Sequence, residues 1–226
     1  MNITIIQHVP FEVPGLISDW ARQHQHQLTI VKLFKKSTHL PSADKVDFLV
    51  VLGGPMSAND NLPWLSAERQ LIKAVVEANK PMLGICLGAQ QLAKAYGEAI
   101  VATPKEVGFG PVTATPTAQS LFGISNQLEV LHWHGEGFKL PKGATLLFSS
   151  RYWPFQGFKL KSAIGLQFHL ESTPTTLAEL AKTDAAFVPG SKYAQTAAQI
   201  TSAPFQSNQL LLNRLLDCLA TANHSA

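Results

Sequence analysis

The period of apolar positions changes repeatedly along the chain, and each change predicts an element. Residues 2–8, 28–33, 46–52 and 82–86 are short apolar runs bounded by polar residues, Gly or Pro, as expected of buried strands. Between them the spacing becomes helical: residues 16–25 form one such stretch, and residues 66–79 another, through Leu71, Ile72, Val75 and Val76. A further helix is expected over residues 87–96, with Gly97 as its stop. Strands alternating with helices predict a parallel sheet covered on both faces.

The second half reads differently. Strand-like runs crowd together at residues 99–102, 111–114, 128–133, 145–148 and 163–168, which predicts antiparallel additions to the sheet. Helical spacing returns at residues 176–182 and 209–220, where Leu211, Leu215, Cys218 and Leu219 share a face and make Cys218 an expected core residue. Residues 187–207, rich in Ala, Ser, Gln and Pro with weak periodicity, are expected to be a loop-rich cap or an insertion. The expected class is therefore α/β: an open, mostly parallel central sheet with helices on both faces and antiparallel strands added in the second half.

Size and composition narrow this picture. A chain of 226 residues, 46% of them hydrophobic, suits one domain over residues 1–226, with 187–226 as a C-terminal extension ending in a helix. A net charge of +3 with no long block of like charge gives no sign of a nucleic-acid partner. The first ten residues read as a strand and not as a secretory leader, and no apolar run approaches the roughly 20 residues that span a bilayer. Two cysteines, Cys86 and Cys218, are too few for a disulfide framework and fit a reducing cytoplasm, with no membrane partner expected.

The chemistry-bearing pattern is Gly84-Ile85-Cys86-Leu87-Gly88 at a strand-to-helix junction. A nucleophile on so sharp a turn needs small neighbours two positions either side, and the helix N-terminus favours negative charge at the sulfur. Alone, the same five residues also fit a buried cysteine in a glycine-rich turn. A base is supplied in Gln167-Phe168-His169-Leu170-Glu171, where His169 and Glu171 face one side of an extended backbone. A carboxylate so placed fixes the imidazole tautomer and stabilises the imidazolium, completing a catalytic triad of Cys86, His169 and Glu171. Gly53-Gly54-Pro55 follows a central strand and exposes bare backbone. The Gly54 and Leu87 amides are the candidate oxyanion hole.

These three segments, in this order and at this spacing, resemble the class I glutamine amidotransferases, most closely stand-alone members similar to the amidotransferase domain of GMP synthetase. The resemblance covers about residues 1–175. It implies a flavodoxin-like fold, hydrolysis of the glutamine side-chain amide through a cysteine γ-glutamyl thioester, and release of ammonia to a separate synthetase or acceptor subunit, without a cofactor. It also implies that Gly53 and Gln90 contact glutamine, together with the main chain of Trp133 and His134. Two positions depart from the family's usual residues, Ala89 for histidine and Leu170 for proline, and Trp133 stands where a small residue is usual.

His132, His134 and Glu136 would share a strand face, which suggests a metal site, but a thiolate mechanism needs none and no metal is expected. His8, at the end of the first strand, is placed either at the active-site edge or as a structural histidine. Two rival functions use the same residues. One is a free-standing γ-glutamyl hydrolase or peptidase, and the other is a regulatory module that keeps the fold without turnover.

Overall fold

A computed structural model describes residues 1–36, 38–202 and 208–221. Nine strands form one sheet in the order β2-β1-β3-β4-β9-β8-β7-β5-β6. The first five in that order are parallel neighbours: β2 (Gln27–Lys32), β1 (Asn2–Gln7), β3 (Phe48–Val51), β4 (Met82–Ile85) and β9 (Ala163–Leu166). From β9 onward every pairing is antiparallel, through β8 (Gly157–Leu160), β7 (Thr145–Ser149), β5 (Ile100–Ala114) and β6 (Gln127–Phe138). The expected α/β architecture, parallel first and antiparallel later, is the one observed.

Strand alternation sorts the core into two layers. Ile3, Ile5, Phe48, Val50, Leu83 and Ile85 pack toward α1 (Leu16–Gln23), α4 (Pro116–Phe122) and α7 (Gln209–Thr221). Ile6, Leu49, Val51 and Met82 point the other way, toward α2 (Pro63–Glu77) and α3 (Leu87–Ala95). Helix α7 buries Leu211, Leu212, Leu215, Leu216 and Leu219, each contributing about 2 kcal/mol of transfer free energy. Cys218 sits at the rim of this layer, half-buried rather than in the core, because the stripe's centre falls between Leu212 and Leu219.

Several boundaries differ from those the sequence suggests. Residues 99–102 and 111–114 are the two ends of one long strand, β5, with an irregularity between Ala102 and Glu106 where Pro104 interrupts the ladder. The apolar pattern fails in its middle because Lys105, Gly108 and Gly110 replace the expected large residues. Likewise β6 runs on to Phe138, beyond residue 133. Strand β8 leaves no clear signal in the pattern, being four residues long with a glycine and a lysine among them. Helix α4 does carry a start signal: Thr115 caps it by accepting from the Ala118 amide at 3.3 Å, and Pro116 follows.

The stretch at 187–207 is a cap, as far as residue 202; residues 203–207 lie outside the described residues. After α5 (Pro174–Thr183) the chain crosses β5, reaches α6 (Ala197–Ser202), and forms a third cluster with Val107, Leu131, Trp133, Leu177 and Val188. Gln195 fastens it, its Oε1 accepting from the Phe109 amide at 3.0 Å and its Nε2 donating to the Phe109 carbonyl at 3.2 Å. No described helix is long and apolar enough to cross a membrane.

Two features bring the halves together. The His169 amide donates to the Leu131 carbonyl at 2.9 Å in an isolated antiparallel bridge, so β6 returns against the extension of β9. Meanwhile the turn from β4 to α3 is held tight by glycines: a Cβ at Gly84 would lie 2.6 Å from the Gly88 carbonyl oxygen, and one at Gly88 would collide with the Val51 carbonyl. Gly88→Ala is accordingly expected to destabilise the chain by about 3 kcal/mol, since the obstacle is strand backbone that cannot move aside. A urea midpoint unchanged from the parent would contradict this.

Candidate active site

Cys86 is the residue on that turn. It precedes α3 with φ 49° and ψ −105°, a left-handed conformation that costs a non-glycine residue about 1–3 kcal/mol. Its amide donates to the Leu166 carbonyl at 2.8 Å, pinning the turn to β9. Two groups meet the sulfur: Gln167 Nε2 donates to it at 3.6 Å, and Sγ itself is 3.7 Å from the Trp133 carbonyl oxygen.

Beyond β9 the chain stays extended, and His169 and Glu171 fall on one side. His169 Nδ1 is 2.6 Å from Glu171 Oε1, while Glu171 Oε2 accepts from the Leu170 amide at 3.0 Å. Both side chains are buried. Burial alone would push the His169 pKa down, but Glu171, with Cys86 as a second hydrogen-bond partner, holds it well above the usual histidine range. Cys86 thus comes from one stretch of the sequence and His169 with Glu171 from another into one chain of contacts.

A cleft of about 360 Å³ opens over this group. Of the expected residues, Cys86, Gly54, Gln90, Trp133, His134 and His169 line it. Glu171 stands behind His169, and Gly53 and Leu87 adjoin the cleft. A Cβ at Gly54 would lie 3.0 Å from Leu87 Cδ2, so the two candidate oxyanion residues are neighbours. Leu87 opens α3, where the first amides have no partner in their own helix. Gln90 Nε2 donates to the Glu136 carbonyl at 3.2 Å and to Gln167 Oε1 at 3.3 Å. The Trp133 indole turns away from Cys86 into the cap and donates to Asp184 Oδ2 at 2.8 Å, so its bulk is housed by the C-terminal segment.

The expected face of His132, His134 and Glu136 does not hold together. Glu136 Oε2 accepts from Ser57 Oγ at 2.7 Å and belongs to the Cys86 cleft.

Two other features were not read from the sequence. Glu12, in the loop after β1, lines the cleft, and its Oε2 occupies the space a Cβ at Gly53 would need. Burial, aided by Glu171 and Asp184 and opposed by His169 and His8, pushes its carboxyl up to about 7. Nothing in the pattern around Glu12 marks it, because a solvated loop glutamate looks the same.

The second feature is the support under Gly53. His8 Nδ1 is 2.7 Å from the Gly53 carbonyl and His8 Nε2 is 2.8 Å from Glu68 Oε1; Glu68 Oε2 in turn accepts from Gln91 Nε2 at 2.7 Å. A carbonyl only accepts, so Nδ1 carries a hydrogen there, and Nε2 and Glu68 Oε1 face each other across one more proton. Burial lowers its pKa, but Glu68 and the Gly53 carbonyl together raise it above 6.5. Trp64 stacks on the ring at 5.1 Å between centroids. Of the two placements expected of His8 the structural one is observed: it is buried, does not line the cleft, and supports the Gly53 loop beside it.

The family model for glutamine amidotransferase class-I matches residues 14–184. This chain belongs to the class-I glutamine amidotransferase family. It is 29% identical to the glutamine amidotransferase-like protein YfeJ of Salmonella typhimurium over 99% of both chains. A solved glutamine amidotransferase of Thermotoga maritima superposes with a TM-score of 0.87 at 29% identity, over 97% of this chain and 98% of that one. GMP synthase of Hydrogenovibrio crunogenus is 33% identical over 57% of this chain, and the match spans 26% of that larger enzyme.

The His8 pair predicts a pH signature. A raised histidine pKa gives stability that is fully present below about 6.5 and is lost as pH rises through the folded-state value. The gap in unfolding free energy between the parent and His8→Gln is expected to be largest near pH 6 and to narrow above neutrality. Urea titrations across that range check it, and a gap independent of pH would count against the raised histidine pKa.

Proposed function

We propose that this amidotransferase-family chain hydrolyses the side-chain amide of glutamine, with Cys86 as nucleophile, His169 as proton carrier and Glu171 as its orienting carboxylate. The observation that carries the reading is the 2.6 Å contact of His169 with Glu171, made at the cleft that His169 and Cys86 line together. Nδ1–H directed at Glu171 leaves Nε2 for the sulfur, the arrangement in which an imidazole takes a thiol proton.

Attack of the thiolate on the amide carbon forms a tetrahedral intermediate. Its oxyanion is received by the Gly54 and Leu87 amides, supplied by the supported loop and by the start of α3. His169 hands its proton to the departing ammonia and a γ-glutamyl thioester remains. Water, deprotonated by the same imidazole, then releases glutamate and frees the sulfur. Gln90, with both amide hydrogens already directed at Glu136 and Gln167, has its carbonyl oxygen left to meet the substrate. Gly53 and the main chain of Trp133 and His134 complete the grip. Glu12 offers a carboxylate for the substrate's α-ammonium group. The ammonia passes to a separate acceptor protein. Support for that step comes from a Thermoplasma acidophilum chain that is one subunit of a glutamine-hydrolysing GMP synthase and is 33% identical over 57% of this chain.

The deciding assay is release of ammonia and glutamate from glutamine, run beside a γ-glutamyl dipeptide. Cys86→Ala is expected to abolish turnover, and Glu171→Gln to lower kcat by about 10²–10⁴-fold. Preference for the dipeptide would move the assignment to a γ-glutamyl hydrolase. Failure of a glutamine-like electrophile to label Cys86 would remove the mechanism altogether.

Glu12 adds a separate expectation. Its carboxyl ionises as pH rises through about 7, so KM for glutamine should fall between pH 6 and 8 in the parent and stay flat in Glu12→Gln. Parallel KM profiles for the two would exclude the ammonium contact.

A further inference from the structure

On the face of β6 turned away from the Trp133 indole lies a buried group that the hydrolysis does not use. His134 stands directly opposite Glu106 across the β5–β6 ladder, and His132 stands opposite Gly108, one step along the same face. All three are buried, and one ligand atom from each can be chosen so that the atoms lie within 4.8 Å of one another. His134 Nε2 is 3.5 Å from Glu106 Oε2, and His132 Nδ1 is 4.0 Å from Glu106 Oε1. None of the four ring nitrogens makes a hydrogen bond of ordinary geometry among the described residues. Leaving such groups unpaired in an interior is costly, at about 1–3 kcal/mol each.

We propose that Glu106, His132 and His134 form a divalent-metal site, with zinc as its natural occupant. Two imidazoles and one carboxylate are a ligand set that zinc takes when it keeps a fourth position open, and bond lengths near 2.0–2.1 Å place tetrahedral ligand atoms about 3.4 Å apart. The His134–Glu106 spacing of 3.5 Å is close to that figure, the His132 spacing to the other carboxylate oxygen is 4.0 Å, and all three ligand atoms lie within 4.8 Å of one another. The ligands are also braced as metal ligands usually are: Gln156 Nε2 donates to Glu106 Oε2 at 2.8 Å and Ser150 Oγ to Glu106 Oε1 at 3.2 Å.

A second cleft of about 370 Å³, without Cys86 in its lining, is bordered by Glu106, His132, Arg151, Tyr152 and Tyr193. Since His134 also borders the Cys86 cleft, the ion would brace β6 where that strand forms the cleft wall.

Metal content and spectra test this without reference to turnover. The purified chain, stripped with a chelator and returned to Zn²⁺, is expected to retain about one equivalent after desalting and to gain thermal stability. Co²⁺ should give the visible bands of a four-coordinate site with nitrogen and oxygen ligands. His132→Gln and Glu106→Gln should each weaken binding by about tenfold or more and lose the Co²⁺ bands; Gln at 106 preserves the volume and can still bond Ser150, which guards against simple misfolding. Circular dichroism establishes that each variant is folded. A folded parent that retains no Zn²⁺ and shows no Co²⁺ bands would overturn the proposal. So would Zn²⁺ retained equally by the parent and both variants.

Discussion

One backbone hydrogen bond, from the His169 amide to the Leu131 carbonyl, joins the parallel and antiparallel halves of the sheet at the active site. The parallel half delivers Cys86 at the end of β4, where every strand points its C-terminus toward the same edge. The antiparallel half delivers Trp133, His134 and Glu136 on β6, which by strand order is the far edge of the sheet. Only because β6 swings back to meet the extension of β9 does the Trp133 carbonyl come within 3.7 Å of the sulfur. Without that bridge the base would remain beside the nucleophile, but the cleft would lack a wall. The same curl turns a polar strip of β5 and β6 inward, which is why Glu106, His132 and His134 are buried at all.

Legibility in the sequence followed the physical origin of each feature. The elbow was readable because sterics leave no alternative to Gly84 and Gly88, and the His169–Glu171 pair because a strand's two-residue period is fixed. The central parallel strands β3, β4 and β9 were readable because burial on both faces makes them apolar. Long-range features left weaker traces. The unity of β5 was hidden since Pro104, Lys105 and two glycines break its pattern, with Gly108 making room for Gln195. Glu12 and the buried Glu68 were invisible, because a carboxylate looks solvated until its neighbours are known.

The histidines of β6 show how alternation can be right and still misdirect. His132, His134 and Glu136 do alternate along one strand, yet the strand twists and Glu136 reaches Ser57. The carboxylate that does face the histidines comes from the neighbouring strand, in register with His134. Cross-strand partners are set by pairing, which a single sequence does not display. His8 makes a related point: its position after β1 was legible, whereas its hold on the Gly53 carbonyl depended on Glu68, 60 residues on.

The clasp between Gln195 and Phe109 has a meaning beyond holding the cap. A primary amide side chain carries a donor and an acceptor in the same sense as a peptide group. By bonding both the amide and the carbonyl of Phe109 it stands in for a single residue of a neighbouring strand, on the side of β5 that β6 does not cover and that β7 reaches only at Thr113 and Ala114. The middle of a fifteen-residue strand would otherwise present a ready template for another chain to pair with. The glutamine thus closes part of that edge beside the main-chain bridge of Ala194 to Val107, and the missing Cβ at Gly108 is what lets it come so close.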